Sequence, residues 1–303
     1  MRIHGLMLIK DERDVIDETL AAAVQWCDRI HVFDNGSTDG TWERIQEFAR
    51  DNSRVLPFKQ DPAPFSQSLR GEIFRHARST VDVGDWWCVL DSDEIYIDDP
   101  RDFLRDIPAR YGEVWSSSYQ YYFTDRDLQR YEADPAGFLQ TPIQERLRYY
   151  LNNWSESRFM RHHPGLVWPE DRAGHPVGKR PVGLLRTAPI RIRLKHYQYR
   201  SPEQIQSRIS AREGVRGSYR HEQDRDWLAH LLGGPVGALK AGPLSWEDRI
   251  VPAVSLHYDA GDGVYVAGAR LPSIPGDKIG LRRAKHRAAS VRWKVMGQLR
   301  RGF

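Results

Sequence analysis

The first hundred residues alternate between short apolar runs and amphipathic stretches. Residues 3–9, Ile-His-Gly-Leu-Met-Leu-Ile, read as a strand, and residues 15–26 carry apolar side chains at 15, 16, 20, 23 and 24, the spacing of a helix. Ile30, His31, Val32 and Phe33 predict a second strand, followed by Asp34-Asn35-Gly36-Ser37-Thr38-Asp39-Gly40, a turn that leads into a helix near Thr41. Residues 55–58 predict a weaker third strand and residues 66–80 a polar, arginine-bearing helix. Trp86-Trp87-Cys88-Val89-Leu90 is almost wholly apolar, as strands buried on both faces are. Strands alternating with helices in this way predict an α/β fold: a Rossmann-type mixed, mostly parallel sheet flanked by helices.

The pattern loosens after residue 100. Residues 114–123 are rich in Trp and Tyr and predict a strand, with Trp115, Tyr119, Tyr121 and Tyr122 assigned to the core. Residues 125–180 show few clean periods, and residues 190–194 alternate strictly, as a strand does. Ser201-Pro202-Glu203-Gln204 combines an N-cap, a Pro at the first helical position and Gln three residues after the cap, which predicts a helix to about residue 213. We therefore expect a domain over residues 1–200 and a mainly helical C-terminal appendage over residues 201–303.

Composition narrows the function. With 10 Trp, 13 Tyr and 10 Phe among 303 residues, the chain has enough aromatic surface to bury a sizeable core, which excludes global disorder. No run approaches the roughly 18 apolar residues needed to cross a bilayer, so a cytoplasmic protein is expected. The two cysteines, Cys27 and Cys88, sit in apolar stretches and suit reduced core thiols. The net charge of +4 is uneven: residues 278–303 hold nine Lys or Arg and no acid, leaving residues 1–277 at −5. Such a tail suits peripheral contact with an anionic membrane at its inner face, or a solvated terminal helix; nucleic acid is the less favoured partner.

The chemistry concentrates at Asp91-Ser92-Asp93-Glu94. These residues leave a buried strand at its carboxyl end, where open α/β sheets place their ligands. Carboxylates so close repel one another unless a cation offsets them, and Mg²⁺ or Mn²⁺ held there could carry diphosphate oxygens. An acidic loop capping the next helix is the alternative.

The order of Lys10-Asp11-Glu12, then Phe33-Asp34-Asn35-Gly36-Ser37-Thr38-Asp39-Gly40-Thr41, then Arg70 and Arg75, then Leu90-Asp91-Ser92-Asp93-Glu94 resembles glycosyltransferase family 2 with its GT-A fold. The resemblance implies a nucleotide-sugar donor, UDP-sugar being the family default, and a glycan or lipid-linked acceptor. It places Lys10, Glu12 and Asp34 at the base and ribose, with Asn35 beside them, Arg70 at the donor, and Asp91 and Asp93 at ribose and metal. The family normally carries Asn where Asp11 stands.

Further along, residues 158–168 and His175 look like members that extend bacterial lipopolysaccharide cores, which implies a role in cell-surface polysaccharide synthesis. Those relatives follow the His with Glu, whereas Pro176 follows here. Asp171, with Glu170 second, resembles the carboxylate pair that supplies the base in an inverting transfer; two exposed loop acids are the alternative. Residues 195–204 resemble a family segment that would bring His196 to the metal and Arg200 to the diphosphate, against a His packed between strand and helix. Two other classes compete: a sugar-phosphate nucleotidyltransferase, disfavoured because no Gly-rich loop follows the first strand, and a non-enzymatic nucleic-acid-binding module.

Overall fold

The computed structural model describes residues 1–169, 180–212, 224–233, 243–268, 271–272 and 274. The basic tail, residues 278–303, therefore lies outside the described residues. The chain divides into two compact units, one built from residues 1–118, 154–194 and 271–303, the other from residues 119–153 and 195–270.

In the first unit, β1 (Ile3–Ile9), β2 (Arg29–Asp34), β3 (Val55–Gln60) and β4 (Trp86–Leu90) alternate with α1 (Ile16–Trp26), α2 (Thr41–Asp51) and α3 (Leu69–Ala77). The four strands are parallel in the order β4-β1-β2-β3. A short β5 (Glu94–Tyr96) and α4 (Pro100–Arg105) follow, then β6 (Tyr111–Tyr121), whose last three residues belong to the second unit. The antiparallel strand β8 (Ser157–Arg161) lies between β4 and β6, which makes the sheet mixed. β9 (Arg186–His196) pairs with β5 and β6.

Both faces of this sheet are covered, which explains the unbroken apolar runs in the sequence. Along β1, Ile3, Met7 and Ile9 join a core that contains Ile16, Leu20 and Ile45 from α1 and α2. Leu6 and Leu8 point the other way, into a core with Leu69, Ile73 and Phe74 of α3 and with Trp87. Cys27 and Cys88 are buried free thiols, and burial pushes the Cys27 thiol up to about 12.

The second unit pairs β6 with β7 (Tyr149–Trp154), whose last residue belongs to the first unit, and β7 with β10 (His257–Tyr258). Three short helices, α5 (Asp125–Ala133), α6 (Pro135–Gln140) and α7 (Ile143–Arg146), precede β7. α8 (Pro202–Arg212) begins at the expected cap, and α9 (Trp227–Leu232) packs Trp227 on Tyr199 with ring centroids 5.4 Å apart. Tyr119, Tyr121 and Tyr122 are buried here, and Trp115 in the first unit, as expected. Lys195 donates to Asp259 at 2.8 Å inside the tyrosine cluster, and its ammonium holds that carboxyl below the usual range against the opposing push of burial. Among the described residues no helix is long and apolar enough to cross a membrane.

A row of buried histidines sets a pH response. His4 and His31 stack with centroids 6.4 Å apart, and His162 accepts from the Trp87 indole at 3.1 Å. Burial lowers all three, taking His31 to about 4. A histidine neutral when folded and titrating near 6.5 when unfolded stabilises fully above pH 6.5 and loses that contribution as pH falls toward 4. His31 alone is worth about 3 kcal/mol on this reckoning. Urea midpoints should fall between pH 7 and pH 4.5, and His31→Gln should flatten that slope.

Candidate active site

The carboxyl ends of β2, β1 and β4 lie side by side, because Ile9 pairs with Asp34 and Met7 with Leu90 across parallel strands. Each strand then releases a loop at the same edge. Asp34, the last residue of β2, is fully buried, and its Oδ1 accepts from the Ser37 N–H at 2.7 Å and from Gln60 at 3.3 Å. Among the described residues its buried Oδ2 has no hydrogen-bond partner, a costly state for a carboxylate oxygen. Asn35 gives both amide hydrogens to the chain, at 3.0 Å to the Asp61 carbonyl and 2.7 Å to that of Ala63. Gly36 is required: its φ is 77° and a Cβ there would sit 2.8 Å from Pro62.

The loop after β1 is zipped to the loop after β2. Asp11, at φ 52°, takes a left-handed conformation in which Asn is more at ease, and its carboxylate accepts from the Thr38 N–H at 2.8 Å. The Asp11 N–H donates to Ser37 Oγ and the Glu12 N–H to Thr41 Oγ1, both at 2.9 Å. Lys10 is exposed at the head of this loop.

The acidic turn is held by two arginines. Asp91 directs Oδ1 at Arg70, on α3, and Oδ2 at Arg158, on β8, the latter at 2.8 Å. The sequence-predicted pair Arg70 and Asp91 is thus in direct contact. Arg158 is 1% exposed and also donates to Glu94 and, at 2.8 Å, to Glu156. Burial drives the Glu94 carboxyl well above the usual range, with Arg158 opposing. Burial acts downward on the Arg158 guanidinium, but the charges of Glu156, Glu94 and Asp91 raise it further above its already high value.

Asp91, Glu94 and Glu156 present oxygens within 4.8 Å of one another, the only such metal-competent group among the described residues. Hard carboxylate oxygens suit Mg²⁺ or Mn²⁺ in kind. The guanidinium of Arg158 already bonds all three, however, so the trio does not fit a resident ion. Asp93 is buried and stands outside this trio.

Asn35 and Asp91 thus spend their side-chain groups on the protein itself, whereas Asp34 keeps one oxygen unspent. Sequence reading passed over Arg158, Glu156 and Gln60. Glu156 and Arg158 lie two residues apart around the start of β8, and no local period ties them to a turn more than 60 residues earlier.

On the far side of α3, Gly71 makes room for Trp168: a Cβ would meet the indole Cδ1 at 2.6 Å. Arg75 donates to the carbonyls of Trp168 and Pro169 at 3.3 and 3.4 Å. The base candidates Glu170 and Asp171, and His175, lie outside the described residues. His196 and Arg200 belong to the second unit. There Arg200 is fully buried, donating from Nη1 to the Tyr197 carbonyl at 3.0 Å and from its backbone N–H to Gln204 at 3.1 Å. His196 is half-buried at the end of β9.

Open α/β sheets place their ligands outside the carboxyl ends of the strands, and Asp34 and Asp91 lie at that edge here. Residues 6–154 match the family model described as glycosyl transferase family 2. This stretch resembles that family, and the mixed α/β sheet flanked by helices is the architecture the sequence led us to expect. No curated protein matches the chain. Similar solved structures include TarS residues 1–349 of S. aureus, 12% identical with a TM-score of 0.35, covering 76% of this chain and 71% of that one. Another is the mannosyltransferase PcManGT of Pyrobaculum calidifontis with GDP-Man and Mn²⁺, 14% identical with a TM-score of 0.40, covering 80% and 66%. GalNAc-T7 with UDP, GalNAc and Mn²⁺ is 11% identical with a TM-score of 0.37, covering 79% of this chain and 52%, about half, of its own length.

Proposed function

We propose that the protein transfers a sugar from a nucleoside-diphosphate donor to a hydroxyl of a glycan or lipid-linked acceptor, with inversion, in bacterial-type cell-surface polysaccharide synthesis. The observation that carries this reading is the family match over residues 6–154, whose acidic residues lie at adjacent strand ends. In this reading the acceptor oxygen forms a bond to the anomeric carbon as the bond to the diphosphate breaks. The nucleoside diphosphate leaves with the electron pair, and a carboxylate takes the acceptor's proton.

Asp34, with Oδ2 unspent, is suited to receive an N–H from the base once the adjoining 61–63 segment yields to it. Lys10 and Glu12 line the same loop, and Asp91, oriented by Arg70 and Arg158, receives the ribose. Asp171, with Glu170 second, remains our base assignment from sequence. Arg200 at the diphosphate and His196 and Asp93 at a cation rest on sequence as well. A divalent ion at Asp91 would share its carboxylate with two guanidiniums, so no step here runs through one.

The test is release of a nucleoside diphosphate from UDP-, GDP- and dTDP-sugars, with CMP-sugar releasing CMP. Release from at least one donor is expected. Pyrophosphate release from a sugar-1-phosphate and a nucleoside triphosphate, with no donor cleavage, would replace this reading with the nucleotidyltransferase one.

A further inference from the structure

The trio of Asp91, Glu94 and Glu156 has the geometry of a cation site and already contains a cation. Arg158 spends Nη1 on Asp91 and Nη2 on both Glu94 and Glu156, reaching three carboxylates from one planar group. A guanidinium is suited to this, since it spreads one charge over five donors and does not deprotonate in proteins. Arg70 closes the other oxygen of Asp91. Asp93 adds a further negative charge nearby, acting to raise Glu94.

A divalent ion bound to the same oxygens would sit about 2.0–2.2 Å from each of them, inside the space the guanidinium fills and against its charge. One of the two cations must go. A small ion also needs near-octahedral oxygen donors, and one oxygen of each trio carboxylate is already a hydrogen-bond acceptor for Arg158.

We propose that Arg158 is the resident counter-cation of the acidic turn: a positioning residue that holds Asp91 where a divalent ion would otherwise hold it. Two consequences follow. The ligand-free protein binds no divalent ion at Asp91, Glu94 and Glu156. Removing the charge of Arg158 turns those three residues into a divalent-cation site. The inference concerns the empty turn and is independent of sugar transfer, because its test uses metal alone.

The experiment is Mn²⁺ binding by the full chain without nucleotide, followed by paramagnetic resonance of the free ion and by thermal shift, for the wild type, Arg158→Gln and Arg158→Lys. Arg158→Gln should bind Mn²⁺ at least on the order of 100-fold more tightly than any binding the wild type shows, since a unit charge is lost a few ångströms from the site. Its melting temperature should rise with Mn²⁺ and fall back with chelator. Arg158→Lys keeps the charge and should stay as insensitive to Mn²⁺ as the wild type, a distinction that a merely structural role would not produce. A folded Arg158→Gln that gains no Mn²⁺ affinity overturns the proposal. Should Arg158→Gln fail to fold, the wild type decides alone. Mn²⁺ binding to it that Glu156→Gln weakens overturns the proposal, and no Mn²⁺ binding sensitive to Glu156→Gln upholds it.

Discussion

Asp91→Asn should raise the donor KM about 10- to 100-fold, the worth of one hydrogen bond to a charged group. It should also destabilise the first unit by about 3 kcal/mol. Both effects have one cause. Asp91 is the acceptor shared by Arg70 and Arg158, which are buried at 4% and 1% side-chain exposure, so an amide in its place leaves two guanidiniums under-compensated. The amide also turns an N–H₂ toward one of them. Cleavage of the preferred nucleotide-sugar, measured over a range of donor concentrations well below the variant's melting temperature, separates the two losses. An unchanged KM with the expected drop in stability would reduce Asp91 to a structural acid and leave the donor without its partner in the turn after β4.

The second large effect is on stability. Trp87→Ala should cost about 3–5 kcal/mol, the range for removing a large buried aromatic. Trp87 is wholly buried, lies 4.7 Å from the Phe74 ring and 5.5 Å from His4, and donates its indole N–H to His162. Trp87→Phe keeps most of the volume but leaves the buried His162 nitrogen without a donor, so it should still cost about 1–3 kcal/mol. Urea unfolding followed by tryptophan fluorescence and far-UV circular dichroism provides the measurement; a Phe variant as stable as the wild type would show that the hydrogen bond contributes nothing.

The parts of the fold that sequence makes legible are those whose signal is local. β1, β2 and β4 are short runs of apolar residues with turn residues at their ends, and the helices between them carry a clear 3.6-residue period. The helix expected over residues 66–80 is α3 over Leu69–Ala77 continued by a 3-10 turn through Thr80. β6 starts three residues before its aromatic-rich stretch, because Tyr111-Gly112-Glu113 is buried too, and Gly112 makes room for Leu185 with a would-be Cβ contact of 2.7 Å. β9 likewise extends to Arg186, well before the residues that alternate strictly.

The helices α5 to α7 escaped the periodic reading because they are four to nine residues long, too short to display an amphipathic face. Their signals were in the caps: Thr124 and Asp127 form a reciprocal capping box, and Asp134 caps a helix that opens on Pro135.

The site divides along the same line. Asp34 and Asp91 are found by their place at strand ends, and Arg70 by its helix in the family order. The role of Arg158 comes from ion pairs spanning 64 and 67 residues, and such pairs leave no trace in local spacing. Its presence changes the chemistry of the turn: Asp91, Glu94 and Glu156 already share a cation that the protein itself supplies.

The central claim, that the edge formed by Asp34 and Asp91 holds a nucleoside diphosphate, is tested most directly by nucleotide binding at equilibrium. Thermal shifts with UDP, GDP, dTDP and CMP, with and without Mn²⁺, should show one nucleotide stabilising the protein by about 2.7 kcal/mol at 100 times its dissociation constant. Asp34→Ala should abolish that stabilisation. If none of the four shifts the melting temperature at millimolar concentration, or if the shift survives Asp34→Ala unchanged, the account is contradicted.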